Sequence, residues 1–291
     1  MTLTGLVYVL ALSSALISAG ATIFIRQGLR WYGPYTGVWI NLVVGTALVW
    51  AAVFLVQEPG QPSARGLALF AAAGLIGTFA GRVLRFVGIE QVGAAITAAL
   101  MNLSPLVSTG LAILLLGERV TLPILAGTVV IVVGTTLLSS GGRRFGVRRR
   151  QLALPLLSAV CFGVVAVLRK FGLADTGPVV GFAVNVTAAL VAFAAFLLAS
   201  GQRGAMTCRG RSLAWFIAAG VAENLSVFLI VVALGLGTVS VVAPLSAVSP
   251  IFVLFLSFLF LRGLEALNAR VVLGTVLIVL GVYLITGLPA R

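Results

Sequence analysis

The sequence predicts an all-α integral membrane protein, with ten transmembrane helices arranged as two inverted five-helix repeats around a central cavity. Three observations carry this prediction. The 291 residues are 61% hydrophobic and 9% charged, with mean hydropathy +1.22, whereas a soluble domain carries roughly 25% charged residues. Ten apolar runs reach the roughly 20 residues that a helix needs to cross a bilayer. Finally, the landmarks of the first half return in the second, in the same order.

The runs lie at about 3–25, 35–56, 66–87, 91–116, 121–140, 151–171, 178–200, 212–235, 239–261 and 269–287. None alternates apolar and polar residues as barrel strands do, and in lipid every backbone amide must bond within its own segment, so each run is helical. The first run lacks a basic leader and reads as a retained span. Turn residues Glu58, Pro59, Gly60 and Pro62 separate the second and third runs. Trp31, Tyr32 and Tyr35 cluster at a boundary, where amphipathic rings sit at headgroup level.

The repeats are expected at 1–140 and 151–291, joined by a basic stretch at 141–150, GGRRFGVRRR. Gly33-Pro34-x-x-Gly37-x-x-x-Asn41 returns as Gly177-Pro178-x-x-Gly181-x-x-x-Asn185. Ser104-Pro105 returns as Ser249-Pro250, and Gly127 with Gly134 returns as Gly274 with Gly281. The offsets are 144, 145 and 147, so the register drifts little over a whole half. Five spans per half is an odd number, so the second half starts from the opposite side and the halves are inverted. Basic residues are denser on the loops opposite the termini, which by the positive-inside rule places the termini outside.

Composition removes several functions. The net charge of +13 is spread over the ends of apolar runs and not gathered in a polar domain, which argues against nucleic acid as a partner. The absence of histidine removes His-dependent catalysis and His metal sites, and Cys161 and Cys208 show no metal spacing. No G-x-x-x-x-G-K-[ST] loop is present, so direct ATP drive is not expected, and no cofactor is. Short loops leave no partner domain, so the expected partners are the lipid bilayer and a small-molecule substrate, with a single copy of the chain doing the work.

Charge inside a bilayer costs about 2.5–3.5 kcal/mol per group on insertion scales, so mid-span charges mark a cavity or a partner. Glu223 lies mid-way along the eighth run beside Asn224. It reads either as a cavity group for a cationic amine or a coupling proton, or as the structural partner of a buried arginine. Helical spacing puts Thr78, Arg82 and Arg85 on one face of the third run. Because the third and eighth runs are repeat mates, Arg82 is placed to reach Glu223, and its planar guanidinium suits a substrate carboxylate. For Arg85 the alternative is snorkelling.

Asn41 and Asn185 suggest helix-to-helix hydrogen bonds, and Arg26 and the Arg169-Lys170 pair suggest interfacial anchors, a gate near the cavity rim being the alternative. Asn102 and Ser246 mark the fourth and ninth runs as cavity-lining, with Pro105 and Pro250 as hinges, because proline frees a carbonyl and bends a helix. Matched breaks in inverted halves point to a central site, plain packing being the alternative. Phe79 is a candidate ring for an apolar or aromatic ligand, although most of the 17 phenylalanines face lipid or other helices.

The end of each half also carries a resemblance. Ser104-Pro105 precedes Gly117-Glu118-Arg119-Val120-Thr121, Gly127 and Gly134, and Ser249-Pro250 precedes Arg262-Gly263-Leu264-Glu265, Gly274 and Gly281. The first half resembles the "SP … LGERLT … G … GV" pattern of the drug/metabolite transporter superfamily, in its ten-helix EamA-like branch. The second half departs from it, with its glutamate displaced. The resemblance implies a ten-helix basket with alternating access and cytoplasmic termini. It also implies export of small amphiphilic metabolites across the inner membrane, amino acids (aromatic ones included) being the closest fit. A multidrug or lipid-linked metabolite exporter of the same fold is the second reading. A membrane enzyme would need paired acids, histidines or a metal site.

Overall fold

The computed structural model describes residues 3–56, 58, 61–92, 97, 100–139, 149–249, 251–252, 255–256 and 269–286. The helices of the first repeat are α1 (Leu3–Gly28), α2 (Pro34–Leu55), α3 (Ala64–Ala73), α4 (Arg82–Val92), α5 (Ser104–Leu116) and α6 (Leu122–Ser139). Those of the second are α7 (Arg149–Gly172), α8 (Pro178–Ala199), α9 (Arg211–Leu236), α10 (Val239–Ser246) and α11 (Ala269–Thr286). A π-helical turn, Gly74–Gly81, joins α3 to α4 into one long span. Among the described residues, six helices are long and apolar enough to cross a membrane, and Ser104–Leu116, Leu122–Leu137 and Val272–Thr286 are shorter apolar helices. The protein is therefore a multi-pass membrane protein, helical throughout its described spans.

Local chemistry sets the helix ends. Both α2 and α8 open on Gly-Pro, where the missing proline N–H is one of the unpaired donors of a first turn. Ser63 caps α3, its Oγ accepting from Gly66 N at 2.9 Å. Gly117 ends α5 at φ +64°, in the left-handed region that a Cβ disfavours.

The inversion appears in the helix pairs. The repeat mates α2 and α8 run antiparallel, with Trp50 Nε1 donating to Thr187 Oγ1 at 2.9 Å near one end and Tyr35 beside Phe193 and Phe196 near the other. The mates α6 and α11 meet on their repeated glycines. A Cβ on Gly127 would lie 2.8 Å from Gly281 O, and one on Gly134 would lie 2.8 Å from Gly274 O. α1 packs antiparallel on α9, joined by Ser14 Oγ and Ser226 Oγ at 3.0 Å, while α7 packs on α3 and α4 in the corresponding place. Large apolar side chains such as Phe54, Leu114 and Tyr283 point outward, as a lipid-facing surface requires.

These pairings define two faces. The proximal face carries the start of α1, Glu58, Glu118, the end of α7 and the start of α10; the distal face carries the α1–α2 turn, the end of α4 and the segment 200–210. Of the basic stretch 141–150, residues 141–148 lie outside the described residues, and Arg149 and Arg150 open α7.

Candidate functional site

The buried polar groups collect where α2, α4 and α9 cross, and again where the π turn meets α7 and α8. Two asparagines organise them. Asn41 Nδ2 donates to Glu223 Oε2 at 2.7 Å, and its Oδ1 accepts from Arg82 Nη1. Asn185 Nδ2 donates to Thr78 Oγ1 at 2.8 Å, and its Oδ1 accepts from Arg169 Nε at 3.1 Å. Thr78 and Glu223 are repeat mates, offset by 145. Each half thus presents the same node, an asparagine that gathers a guanidinium and the side chain at one position of the third or eighth span. One node carries a charged acceptor and the other a neutral hydroxyl.

The charged node is the richer. Arg82 is 3% exposed and Glu223 7%, with Arg82 Nε 3.7 Å and Arg85 Nη1 3.3 Å from Glu223 Oε1. Arg82 Nε is buried without a hydrogen-bond partner, as is Asn224 Oδ1. Asn224 Nδ2 donates to Asn41 O at 3.1 Å and Gly220 O at 2.8 Å, which locks α9 to α2. Two guanidiniums, Arg82 buried and Arg85 partly exposed, share one buried carboxylate, and a buried charge needs full pairing. At the neutral node Arg169 Nη2 also donates to Thr78 Oγ1 at 3.3 Å, and no ion pair to Arg169 occurs among the described residues.

Arg82, Glu223 and Asn224 meet at the node on Asn41, whereas Thr78 belongs to the node on Asn185. The other expectations fare differently. Thr78 and Arg82 do not share a target: Thr78 faces α7 and α8, and Arg82 faces α2 and α9. The π turn between them explains this, since its extra residue shifts the register that regular α spacing would give. Phe79 stands in an aromatic cluster, 6.0 Å from Phe193 and 6.1 Å from Phe196 between ring centroids. Asn102 is buried with its Nδ2 unpaired, and Ser246 donates to Ala243 O at 2.9 Å; among the described residues neither joins either node.

Pro105 sits in the first turn of α5, where proline is favoured, just after the helix is interrupted at Asn102 and Leu103. Pro250 lies outside the described residues. Pro155, inside α7, and Pro244, inside α10, are in-helix prolines that the sequence does not single out.

Arg169 and Lys170 correct the anchor reading as well. Arg169 is 7% exposed at the node on Asn185, and Lys170 Nζ donates to Leu234 O and Gly237 O, both at 2.7 Å, capping the end of α9. Only Arg26 of that group is exposed as an anchor should be. Arg85 pairs with Glu223 and does not snorkel.

A cleft of about 480 Å³ opens on the distal face, bounded by Pro34, Tyr35, Thr36, Gln91 and Gln202. Tyr35 links its wall to the Phe79–Phe193–Phe196 cluster. A second recess of about 420 Å³ lies between α5 and α7 and is lined by Leu103, Val107, Ala153, Leu156, Leu157, Ala159 and Val160, apolar throughout.

An inverted-repeat helical bundle with a polar centre and a cleft on one face defines a membrane carrier. The chain belongs to the EamA-like transporter family, whose family model matches twice, at residues 5–140 and 150–287, one match per repeat. A solved crystal structure shares the fold with a TM-score of 0.82, over 98% of this chain and 99% of that one, at 18% sequence identity. No curated protein matches the sequence.

Proposed function

We propose that the protein is a secondary transporter that exports small amphiphilic metabolites, amino acids foremost, across the inner membrane by alternating access. The observation that carries this reading is the pairing of Arg82 and Arg85 with Glu223 deep in the bundle. Glu223 is held there by both guanidiniums, one carboxylate facing two positive groups. A lone anion entering the site displaces Glu223 and leaves it unpaired, and a lone cation does the same to the arginines, each at the cost of a buried orphan charge. A zwitterion brings both partners, its carboxylate replacing Glu223 on the guanidiniums and its ammonium taking the freed carboxylate. The distal cleft has the size of ordinary small-ligand sites, about 300–1,000 Å³. Among the described residues, the recess between α5 and α7 has no polar lining for a lipid-linked headgroup.

The test is counterflow in proteoliposomes with a panel of labelled amino acids. For each, the matching amine without its carboxylate and the matching acid without its ammonium are run as controls. Amino acids are expected to exchange and both controls to fail; equal exchange by either control refutes the zwitterion reading. Arg82→Ala is expected to weaken apparent affinity roughly tenfold, the scale of one lost charge-assisted contact.

A further inference from the structure

On the proximal face, two carboxylates of the first repeat are seated on helix starts of the second. Glu58 accepts from Val179 N at 2.9 Å and Val180 N at 3.1 Å, at the start of α8. Glu118 accepts from Val239 N at 2.8 Å and Ser240 N at 3.0 Å, at the start of α10. A helix start carries unpaired N–H groups and the positive end of the dipole, so a carboxylate there is held by charge-assisted bonds. Arg65 and Asp175, 3.8 Å apart, tie the same seam.

The repeat turns this closure into a statement about the opposite face. The offset of 144 that carries Gly33 onto Gly177 also carries Tyr35 and Thr36 onto Val179 and Val180, and it carries Glu58 onto Gln202. Gln202, Tyr35 and Thr36 all line the open distal cleft. Among the described residues, no hydrogen bond reaches the Tyr35 or Thr36 N–H, and the Gln202 side chain makes none. The glycines report the same difference. A Cβ on Gly177 would fall on the seated Glu58 carboxylate, whereas one on Gly33 would meet nothing within 4 Å. One seat is filled and its twin is vacant.

We infer that positions 58 and 202 are the two gates of a single exchange, a statement that rests on the transporter reading above. When the distal cleft closes, the Gln202 amide oxygen seats on the Tyr35 and Thr36 N–H groups, and Glu58 leaves Val179 and Val180. One gate is a carboxylate and its twin a neutral amide, so the proximal seat is the stronger. The resting carrier is therefore closed proximally and open distally. Gly33 and Gly177 stay without side chains because each forms the floor of a seat.

The experiment uses the full chain in proteoliposomes, with Cys161→Ser and Cys208→Ser removing the native thiols. Spin labels on Ala64→Cys with Leu236→Cys report the proximal face, and labels on Arg30→Cys with Arg203→Cys report the distal face, by pulsed electron resonance. Glu58→Gln is expected to raise the proximally open population about fivefold, and Gln202→Glu to raise the distally closed population by a similar factor. Gly33→Ala touches only the vacant seat and is expected to reduce distal closure. Unmoved distances in the two charge variants overturn the gates, as does distal closure that increases in Gly33→Ala. If Glu58→Gln does not fold, the Gln202 and Gly33 variants, both on the vacant side, still decide. Solute flux is measured on the same vesicles. Distances that exchange without any flux retire the transport reading and leave the gates standing; flux that persists with unmoved distances retires the gates alone.

Discussion

Asn41 and Asn185 occupy equivalent positions but hold unequal partners. Asn41 satisfies a guanidinium and a carboxylate, whereas Asn185 satisfies a guanidinium and a hydroxyl. A buried group that loses its partner bears its full desolvation cost, about 1–3 kcal/mol and more when charged. Asn41→Ala is therefore expected to lower the melting temperature of the detergent-solubilised protein more than Asn185→Ala does. Equal losses in the two variants would show that the Glu223 side of the network is not the tighter one. The asparagines, Arg82 and Glu223 were legible in the sequence because polar groups stand out in an apolar run and because the repeat marks their mates. Arg169 was not, because its place one residue from Lys170 near a helix end has the same local signature as an interfacial anchor. Only the packing of α7 against the π turn and α8 tells the two apart.

At the scale of elements, the repeated glycines of α6 and α11 are the contact that the repeat itself predicts without saying where it falls. Gly127, Gly134 and Gly281 each face a backbone carbonyl of the partner helix, which cannot move aside as a side chain can. Gly134→Ala is expected to destabilise the protein by about 1–3 kcal/mol, the range for overpacking. Gly110, in α5, has open space around its missing Cβ. Gly110→Ala is expected to be neutral or to stabilise by about 0.5–1 kcal/mol, through helix propensity alone. Thermal unfolding of the pair checks the argument, which fails if the two variants shift alike. Element existence was readable from run length, and the ends of α2 and α8 from Gly-Pro. The π turn at Gly74–Gly81 was not, since the sequence GLIGTFAG is equally compatible with a regular helix. That turn is what sends Thr78 and Arg82 to different nodes, so the largest misreading of the site comes from one extra residue in one turn.

At the scale of the molecule, the two halves are repeats in sequence but not separate bodies. α1 buries its inner face on α9, α2 on α8, α6 on α11, and α3 and α4 on α7, so each of these helices of the first repeat has its main partner in the second. The cross-links follow the same rule: Ser14 with Ser226, Trp50 with Thr187, Asn41 with Glu223 and Glu58 with Val179 all join one half to the other. A repeat expressed alone would expose the polar sides of α1, α2 and α4 to lipid, and hydrocarbon offers those groups no alternative partner. Residues 1–140 alone are therefore expected not to accumulate in the membrane, and residues 150–291 alone likewise. The two fragments expressed together are expected to copurify and to recover transport, because the described cross-links join residues of 1–140 directly to residues of 150–291. Accumulation of either fragment alone, monodisperse and thermally stable at the level of the full chain, would mean that the repeat folds as a unit. The interlocked packing would then be a late docking of finished domains and not the source of the fold.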